Sequence, residues 1–250
     1  MTRRSGRWGG RWRGRVLIAP LVLLVVLIAA APALRWVREH PQHNPWAQLA
    51  LDQPVGWATR RKLAAMGEDQ AACHDLLRRA DVAFTPLPAV GSGQCLATSR
   101  TRIGPSRAVG FRLMPTSVAP SCVVDAALLM WMRHVVPPAA QRHFGQRVTL
   151  VENLGSYNCR RIGGGDSGSW SEHASGNAID ISAFVLADGR RIVLMRDWHG
   201  AAPKAAFLRD VRDGACGLFS TTLSPDYNRA HANHFHFDQA RRVAGWGVCR

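Results

Sequence analysis

Apolar positions divide the chain into one continuous apolar run and a longer region of mixed pattern. Residues 16–34 carry no charged side chain over 19 positions, close to the ~20 residues that a membrane-spanning helix needs. We therefore predict a basic segment at 1–15, a membrane-spanning helix at 16–34 and a proline-containing linker at 35–55. Residues 56–250 show no repeat and no shift in composition, which predicts a single domain.

Helical periodicity occurs in three parts of this domain. Residues 59–77 place apolar side chains at helical spacing with one interruption, which predicts two short helices. A longer run begins after Ser121, a good N-cap residue, and is apolar on more than one face. We therefore predict a buried helix that ends before Pro137 and Pro138. Residues 203–212 predict a further helix.

Strand signals occur at five places in the domain: residues 109–114, 148–152, 178–185, 191–195 and 234–238. The segment 178–185 alternates apolar and polar positions, and the ADGR sequence at 187–190 predicts a hairpin turn. Helices and strands are largely segregated along the chain. This order predicts an α+β fold with a central antiparallel sheet.

The formal net charge is +15, and six arginines that precede the apolar run contribute +6 of it. Because positive residues stay on the cytoplasmic side, these arginines predict that the C-terminal part is exported. A cleaved signal peptide is the alternative, since residues 31–33 are small, and it also exports the domain. An exported chain without a recognition motif is not expected to bind nucleic acid. The arginines are Arg3, Arg4, Arg7, Arg11, Arg13 and Arg15.

The cysteines fit an oxidising compartment. The chain has six of them and no C-x-x-C pair, so it offers neither a zinc ribbon nor a thioredoxin-like motif. We predict three disulfides, although six cysteines allow 15 connectivities. Pairing neighbours in sequence gives Cys73–Cys95, Cys122–Cys159 and Cys216–Cys249.

Histidines are concentrated in two segments, SEHASGNAIDIS at 171–182 and HANHFHFD at 231–238. On a strand, His234 and His236 project from the same face. Asp180 lies on another predicted strand, and His173 lies in the loop before it. Two imidazoles and one carboxylate make a three-ligand zinc site with an open position, as hydrolytic sites have. His173, Asp180 and one tail histidine therefore predict such a site, and a remaining histidine would serve as general base or oxyanion donor.

One motif resembles the signature of the LAS zinc peptidases, which include lysostaphin-type enzymes, D-alanyl-D-alanine carboxypeptidases and the hedgehog domain. The motif is Ser171-x-His173-x-x-Gly176-x-Ala178-x-Asp180 followed by His234-x-His236. The chain resembles the bacterial extensin-like C-terminal domain family more closely, over about residues 54–250. Further matching stretches are PVGWATRRKL near residue 54, GSYNCR at 155–160, ADGRRI at 187–192 and the segment 206–238.

The resemblance implies a LAS-type fold and a role for six residues. These are the Zn²⁺ ligands His173, Asp180 and His236, and the catalytic residues His234, His231 and Arg160. His234 would be the base, and Arg160 or Arg161 would hold the substrate carbonyl. The carboxypeptidase branch has a glutamate where this chain has Asn233, so proton transfer is expected to depend on histidine.

The resemblance also implies a function. We expect a zinc-dependent hydrolase of peptide bonds in peptidoglycan, of endopeptidase or D,D-carboxypeptidase type. It would act in the periplasm from an anchor in the inner membrane, with peptidoglycan as its partner. The alternative is a non-catalytic, zinc-containing peptidoglycan-binding module. The oligomeric state is not predicted.

Overall fold

The structure is a computed structural model that describes residues 12–105, 110–242 and 246–250. Helix α1 (Trp12–Glu39) contains the predicted span and continues past its predicted end. An 18-residue window within its stretch Pro20–Glu39 has a mean hydropathy of 2.2, and none of that window is buried. Helix α1 is the one helix within the described ranges that is long and apolar enough to cross a membrane. Residues 1–11 of the predicted basic segment and Val109 of the first predicted strand lie outside the described residues.

Helix α4 lies at the centre of the helical layer, in contact with α2, α3 and α5. All its side chains from Cys122 to Met132 are buried, as its apolar faces predict. It ends before Pro137, but α5 begins at Val136, with the prolines in its first turn. A proline there sacrifices no helical hydrogen bond. The helices after α1 are α2 (Thr59–Met66), α3 (Gln70–Arg79), α4 (Cys122–His134), α5 (Val136–Phe144), α6 (Leu194–Asp197) and α7 (Lys204–Ala215).

The strands form a mixed sheet and a small ribbon. Their bounds are β1 (Phe84–Pro86), β2 (Thr101–Ile103), β3 (Arg112–Met114), β4 (Val148–Gly155), β5 (Ala178–Leu186), β6 (Arg191–Val193), β7 (Thr221–Leu223), β8 (Phe235–Asp238) and β9 (Val248–Cys249). The seven-stranded sheet has the order β3-β4-β5-β8-β7-β9, with β6 also on β5. Its central pairs are antiparallel, and the edge pairs β3–β4 and β7–β9 are parallel. Strands β1 and β2 form the ribbon.

The core lies between α4 and one face of the central strands. The ring of Trp131 is 5.7 Å from Phe184 on β5 and 5.1 Å from Phe237 on β8. Its indole Nε1 donates a hydrogen bond to the Val211 carbonyl of α7 at 2.8 Å. One face of β5 and β8 is therefore committed to the core, which leaves the other face for polar side chains.

Three disulfides join the described cysteines: Cys73–Cys122, Cys95–Cys159 and Cys216–Cys249. The third predicted pair is confirmed. The first two predicted pairs, Cys73–Cys95 and Cys122–Cys159, are wrong because helix packing overrides proximity in sequence. Helix α3 packs against α4, which places Cys73 beside the start of α4 and leaves Cys95 to pair with Cys159.

The segment that the sequence predicts as a linker packs against the domain. Leu49 and Leu51 are buried in the core, and His134 bonds to the carbonyl of Leu51 at 2.8 Å. The ammonium of Lys62 on α2 donates to the carbonyl of Pro41 at 2.8 Å. The segment packs because it contains apolar side chains, Leu49 and Leu51, between its prolines, and these side chains are buried in the core.

Candidate metal centre

Strands β5 and β8 place two of the predicted ligands side by side. Asp180 pairs with His236 in the antiparallel ladder, so both side chains leave the same face of the sheet. Their neighbours point to the opposite face because strand side chains alternate. These neighbours are all fully buried in the core: Ile179, Ile181, Phe235 and Phe237.

The third predicted ligand, His173, comes from a single turn of 3-10 helix, Glu172–Ser175. The Ser171 hydroxyl caps this turn by accepting from the His173 amide at 3.3 Å. Gly176 ends it with φ +69°, a left-handed conformation that glycine adopts without strain. The chain then enters β5 directly, which brings His173 over Asp180.

The three side chains meet at one point. His173 Nε2 and His236 Nδ1 each lie 3.1 Å from Asp180 Oδ1, and 3.1 Å from each other. All three residues are almost fully buried, at 3%, 9% and 8% exposure in chain order. The structure thus brings together the three residues that the sequence analysis assigns to zinc.

The outer ring nitrogens show which atoms carry hydrogen. His173 Nδ1 lies 2.5 Å from the Ser156 carbonyl oxygen, and His236 Nε2 lies 3.0 Å from Asp238 Oδ2. Both partners are acceptors, so these nitrogens donate, and in neutral rings the inner nitrogens carry lone pairs. Two lone pairs and the Asp180 carboxylate therefore converge with no hydrogen between them. Such a set of acceptors needs a cation.

The donor set fits a zinc ion in chemistry and in spacing. Zinc binds imidazole nitrogen and carboxylate oxygen at about 2.0–2.2 Å, so two donors of a tetrahedron lie about 3.3–3.6 Å apart. The observed separations of 3.1 Å are close to this value. The outer hydrogen bonds to Ser156 and Asp238 are the contacts that orient metal-binding histidines.

The pKa values of Asp180 and His236 also indicate that the site favours a positive charge. Burial by itself raises the pKa of Asp180, but in the metal-free protein the close contacts with His173 and His236 in their protonated forms outweigh it and hold that pKa well below its usual range. Burial lowers the pKa of His236, yet the hydrogen bonds to Asp180 and Asp238 raise it to about 9. When no metal is bound, a proton on His236 supplies the cation.

His234 lies beside the three converging side chains rather than among them. Its Nδ1 is 2.7 Å from the Asn233 side-chain oxygen, so it donates there and Nε2 carries the lone pair. This Nε2 lies 3.6 Å from Asp180 Oδ2. Burial and the neighbouring histidines lower the pKa of His234, against the opposing effect of Asp180. The imidazole is therefore neutral at neutral pH and able to accept a proton.

His231 lies further out, on the short turn Arg229–His231. Its ring centroid is 5.1 Å from that of His234 and 5.8 Å from that of His236. Nδ1 lies 2.7 Å from the Asn228 side-chain oxygen. Burial, then the charges of the other two histidines, lower its pKa to about 4. His231 therefore borders the site as a neutral side chain.

The two candidate arginines differ in their surroundings. Arg161 stacks over Trp170 at 4.3 Å and donates to the Gly168 carbonyl. Arg160 is exposed and is close enough to His231 and His234 to lower the pKa of both. Arg160 is thus within electrostatic range of the two histidines, whereas Arg161 is engaged with Trp170 and Gly168.

The comparison with protein families matches residues 71–250 to the extensin-like protein C-terminus. The chain belongs to this family. The extensin-like domain so defined begins within α3, later than residue 54, and contains every residue of the site. No curated protein and no solved structure matches the chain.

Several contacts of this extensin-like site were not predicted from the sequence. The Ser156 carbonyl is a backbone group and carries no sequence signal. Asn233 lies within the histidine-rich tail and contacts His234, whereas Asn228 lies three residues before the tail and contacts His231. Their closeness in sequence to these histidines is the signal that could have indicated the contacts. Asp238 is different, because its strand parity with His236 already makes it a candidate to orient an imidazole, with an ordinary strand-end aspartate as the alternative; in the structure it contacts His236 Nε2 at 3.0 Å.

Proposed function

We propose that the protein is a zinc-dependent hydrolase of peptide bonds in peptidoglycan, of endopeptidase or D,D-carboxypeptidase type. One observation carries the proposal: three converging lone-pair donors, His173, Asp180 and His236, stand beside a fourth imidazole that is neutral and unligated. A structural zinc site uses four protein ligands, whereas a catalytic one leaves a position open. The resemblance of the motif to LAS peptidases supports the choice of substrate.

The residues of this chain divide the reaction between them. Zinc held by the three ligands would supply Lewis acidity, polarising the scissile carbonyl and acidifying a water molecule. His234 Nε2 accepts the proton that this water loses as its oxygen bonds to the carbonyl carbon. The protonated His234 then donates to the departing amide nitrogen as the C–N bond breaks. Arg160 donates N–H groups to the carbonyl oxygen, where negative charge develops.

We further propose that α1 anchors the protein in the inner membrane, with the N-terminus in the cytoplasm and the domain in the periplasm. The arginines before the apolar run support this orientation. Three disulfides support an oxidising compartment. Resistance to alkaline extraction, together with activity of a periplasm-dependent reporter fused to the C-terminus, tests both parts.

Digestion of purified sacculi tests the hydrolase. The full chain, loaded with zinc, should release muropeptides that chromatography and mass spectrometry identify. Asp180→Asn keeps the shape of the ligand but removes its charge, so it should lose both bound zinc and product. Asp188→Asn is the matched control, because Asp188 is exposed in the β5–β6 turn.

The outcomes distinguish an enzyme from a binding module. Zinc content with no product from several cross-link types contradicts the hydrolase. If that protein also sediments with sacculi after chelation and after His234→Ala, it is a peptidoglycan-binding module instead.

A further inference from the structure

The end of α1 is fastened to the domain by a row of aromatic rings. We name Trp36, His40, His43 and Trp57 the aromatic column. Trp36 stacks on His40 at 4.6 Å and on His43 at 5.4 Å, and His43 stacks on Trp57 at 6.5 Å. The Trp57 amide also bonds to His43 Nδ1 at 3.4 Å. Trp57 precedes α2, so the column joins the helix to the body of the domain.

Backbone contacts fix the same segment to α2. The Gln42 carbonyl accepts from the Ala58 amide at 3.2 Å, and the Pro41 carbonyl accepts from Lys62. The Gly56 backbone is so close to Gln42 that an added Cβ would lie 2.4 Å from its carbonyl oxygen. The chain between the helix and the domain is therefore packed, and it does not let the domain move far from the helix end.

With α1 as the proposed membrane anchor, this geometry would place the α2 side of the domain near the height of the lipid headgroups. A helix rises 1.5 Å per residue, so Glu39 lies about 7.5 Å beyond Leu34, the last residue of the apolar run. Each headgroup layer is about 5–8 Å thick. Trp36, only two residues past Leu34, would therefore lie inside that layer when α1 spans the bilayer.

The same side of the domain exposes Trp57 of the column and one further tryptophan, Trp46. Trp46 is 90% exposed and Trp57 is 66% exposed. Trp46 lines a groove together with Arg61, Lys62, Arg79 and Asp75, so basic side chains outnumber the one carboxylate next to the exposed indole. Tryptophan prefers the membrane–water interface, where its ring meets apolar chains and its N–H meets water. Arginines beside it attract the phosphates of lipid headgroups.

We propose that the domain docks on the outer surface of its own membrane through this face, with Trp46 and Trp57 in the headgroup layer. The inference rests on the proposed membrane anchor and is independent of the proposed hydrolase activity. The domain is then held against the bilayer in one orientation, instead of hanging from a flexible tether.

Quenching by brominated lipids tests the docking. The full chain is reconstituted into vesicles of phosphatidylcholine and phosphatidylglycerol, whose acyl chains carry bromine near the headgroup. The emission of one tryptophan is the difference between the wild type and its Trp→Phe variant. For Trp46 and for Trp57, this difference should be about twofold or more smaller in brominated vesicles than in vesicles without bromine. The matched control is Trp170→Phe, since Trp170 lies beside the metal loop, stacked with Arg161. Its lost fluorescence should be unquenched.

The possible results separate the anchor from the docking. If both tryptophans contribute only unquenched fluorescence while the protein floats with vesicles after an alkaline wash, the docking is wrong and the anchor stands. If the protein fails to float, both are wrong. Trp57→Phe could disturb the aromatic column, but Trp46 is almost fully exposed, so Trp46→Phe decides the question with the fold intact.

Discussion

Replacing His234 and His236 by alanine, one at a time, separates a proton acceptor from a metal ligand. The two residues share one face of the chain and lie two positions apart, yet their nitrogens face different partners. His236 Nδ1 converges with His173 and Asp180 at 3.1 Å. His234 Nε2 approaches only the outer oxygen of Asp180, at 3.6 Å. We expect His236→Ala to lose zinc and His234→Ala to keep it.

The size of each effect follows from the contacts that are removed. His234→Ala deletes a positioned proton acceptor, which contributes about 10²–10⁴-fold to kcat, or about 2.7–5.4 kcal/mol in the barrier. His236→Ala removes one of three ligands and also leaves the buried Asp238 carboxylate without its imidazole partner. Loss of an orienting partner alone costs about 10–100-fold in metal affinity, so we expect His236→Ala to exceed about 100-fold.

Zinc affinity by competition with a chromophoric chelator and muropeptide release from sacculi are the two assays. His199→Ala provides the control, because His199 is exposed and its contacts with Asp226 and the edge of Trp198 do not involve the histidines of the site. Its zinc affinity and turnover should match the wild type. If His234→Ala empties the site while His236→Ala leaves it filled, the two roles are reversed. If neither changes zinc affinity, the ligand set is wrong.

Three further substitutions test the surroundings of the site and the fold. Asp238→Asn keeps an acceptor beside the ligand imidazole but removes its charge, so zinc affinity in the competition assay should fall about 10–100-fold. Burial raises the pKa of Asp125 well above 3.8, so the folded state binds a proton that the unfolded chain releases. The stability that this proton contributes is complete below pH 3.8 and is lost as the pH rises through the folded-state pKa, with a slope of at most about 1.4 kcal/mol per pH unit. Asp125→Asn should remove this decline in urea unfolding measured between about pH 4 and 8. Gly56→Ala places a Cβ against Gln42 and should lower the free energy of unfolding, measured in thermal melts, by about 1–3 kcal/mol. Gly165→Ala is the control: a Cβ there meets nothing within 4 Å, so its melting curve should be close to that of the wild type.

Secondary structure was predictable where one period dominates. The alternation at 178–185 corresponds to β5, and the fully apolar run after Ser121 corresponds to the buried α4. Helix α5 was missed because Pro137 and Pro138 were interpreted only as a stop signal. Proline ends a preceding helix and also suits the first turn of a following one. A single local pattern cannot separate these two uses.

Pairings that depend on tertiary packing were not predictable. The disulfide between Cys73 and Cys122 follows from the contact between α3 and α4, which no spacing between cysteines encodes. The order of strands in the sheet depends on the same long-range contacts. By contrast, Asp180 and His236 could each be assigned to the polar face of its own strand because strand alternation is local, and the ladder between β5 and β8 places these two polar faces side by side.

The parts of the candidate site differ in how firmly they are held, and this difference bears on function. Two ligands stand on central strands whose opposite faces are locked in the core. Arg160 instead lies on a loop, next to Cys159, whose disulfide to Cys95 ties that loop to the turn Gly93–Cys95. A second tie is the Asn158 amide, which donates to the His173 carbonyl at 2.8 Å. A zinc site that served only the fold would gain nothing from an exposed arginine and a neutral histidine fastened at its open side. In the proposed hydrolase, three ligands held by the core, a neutral acceptor beside them and an arginine on a disulfide-tied loop would together suit catalysis on a carbonyl substrate.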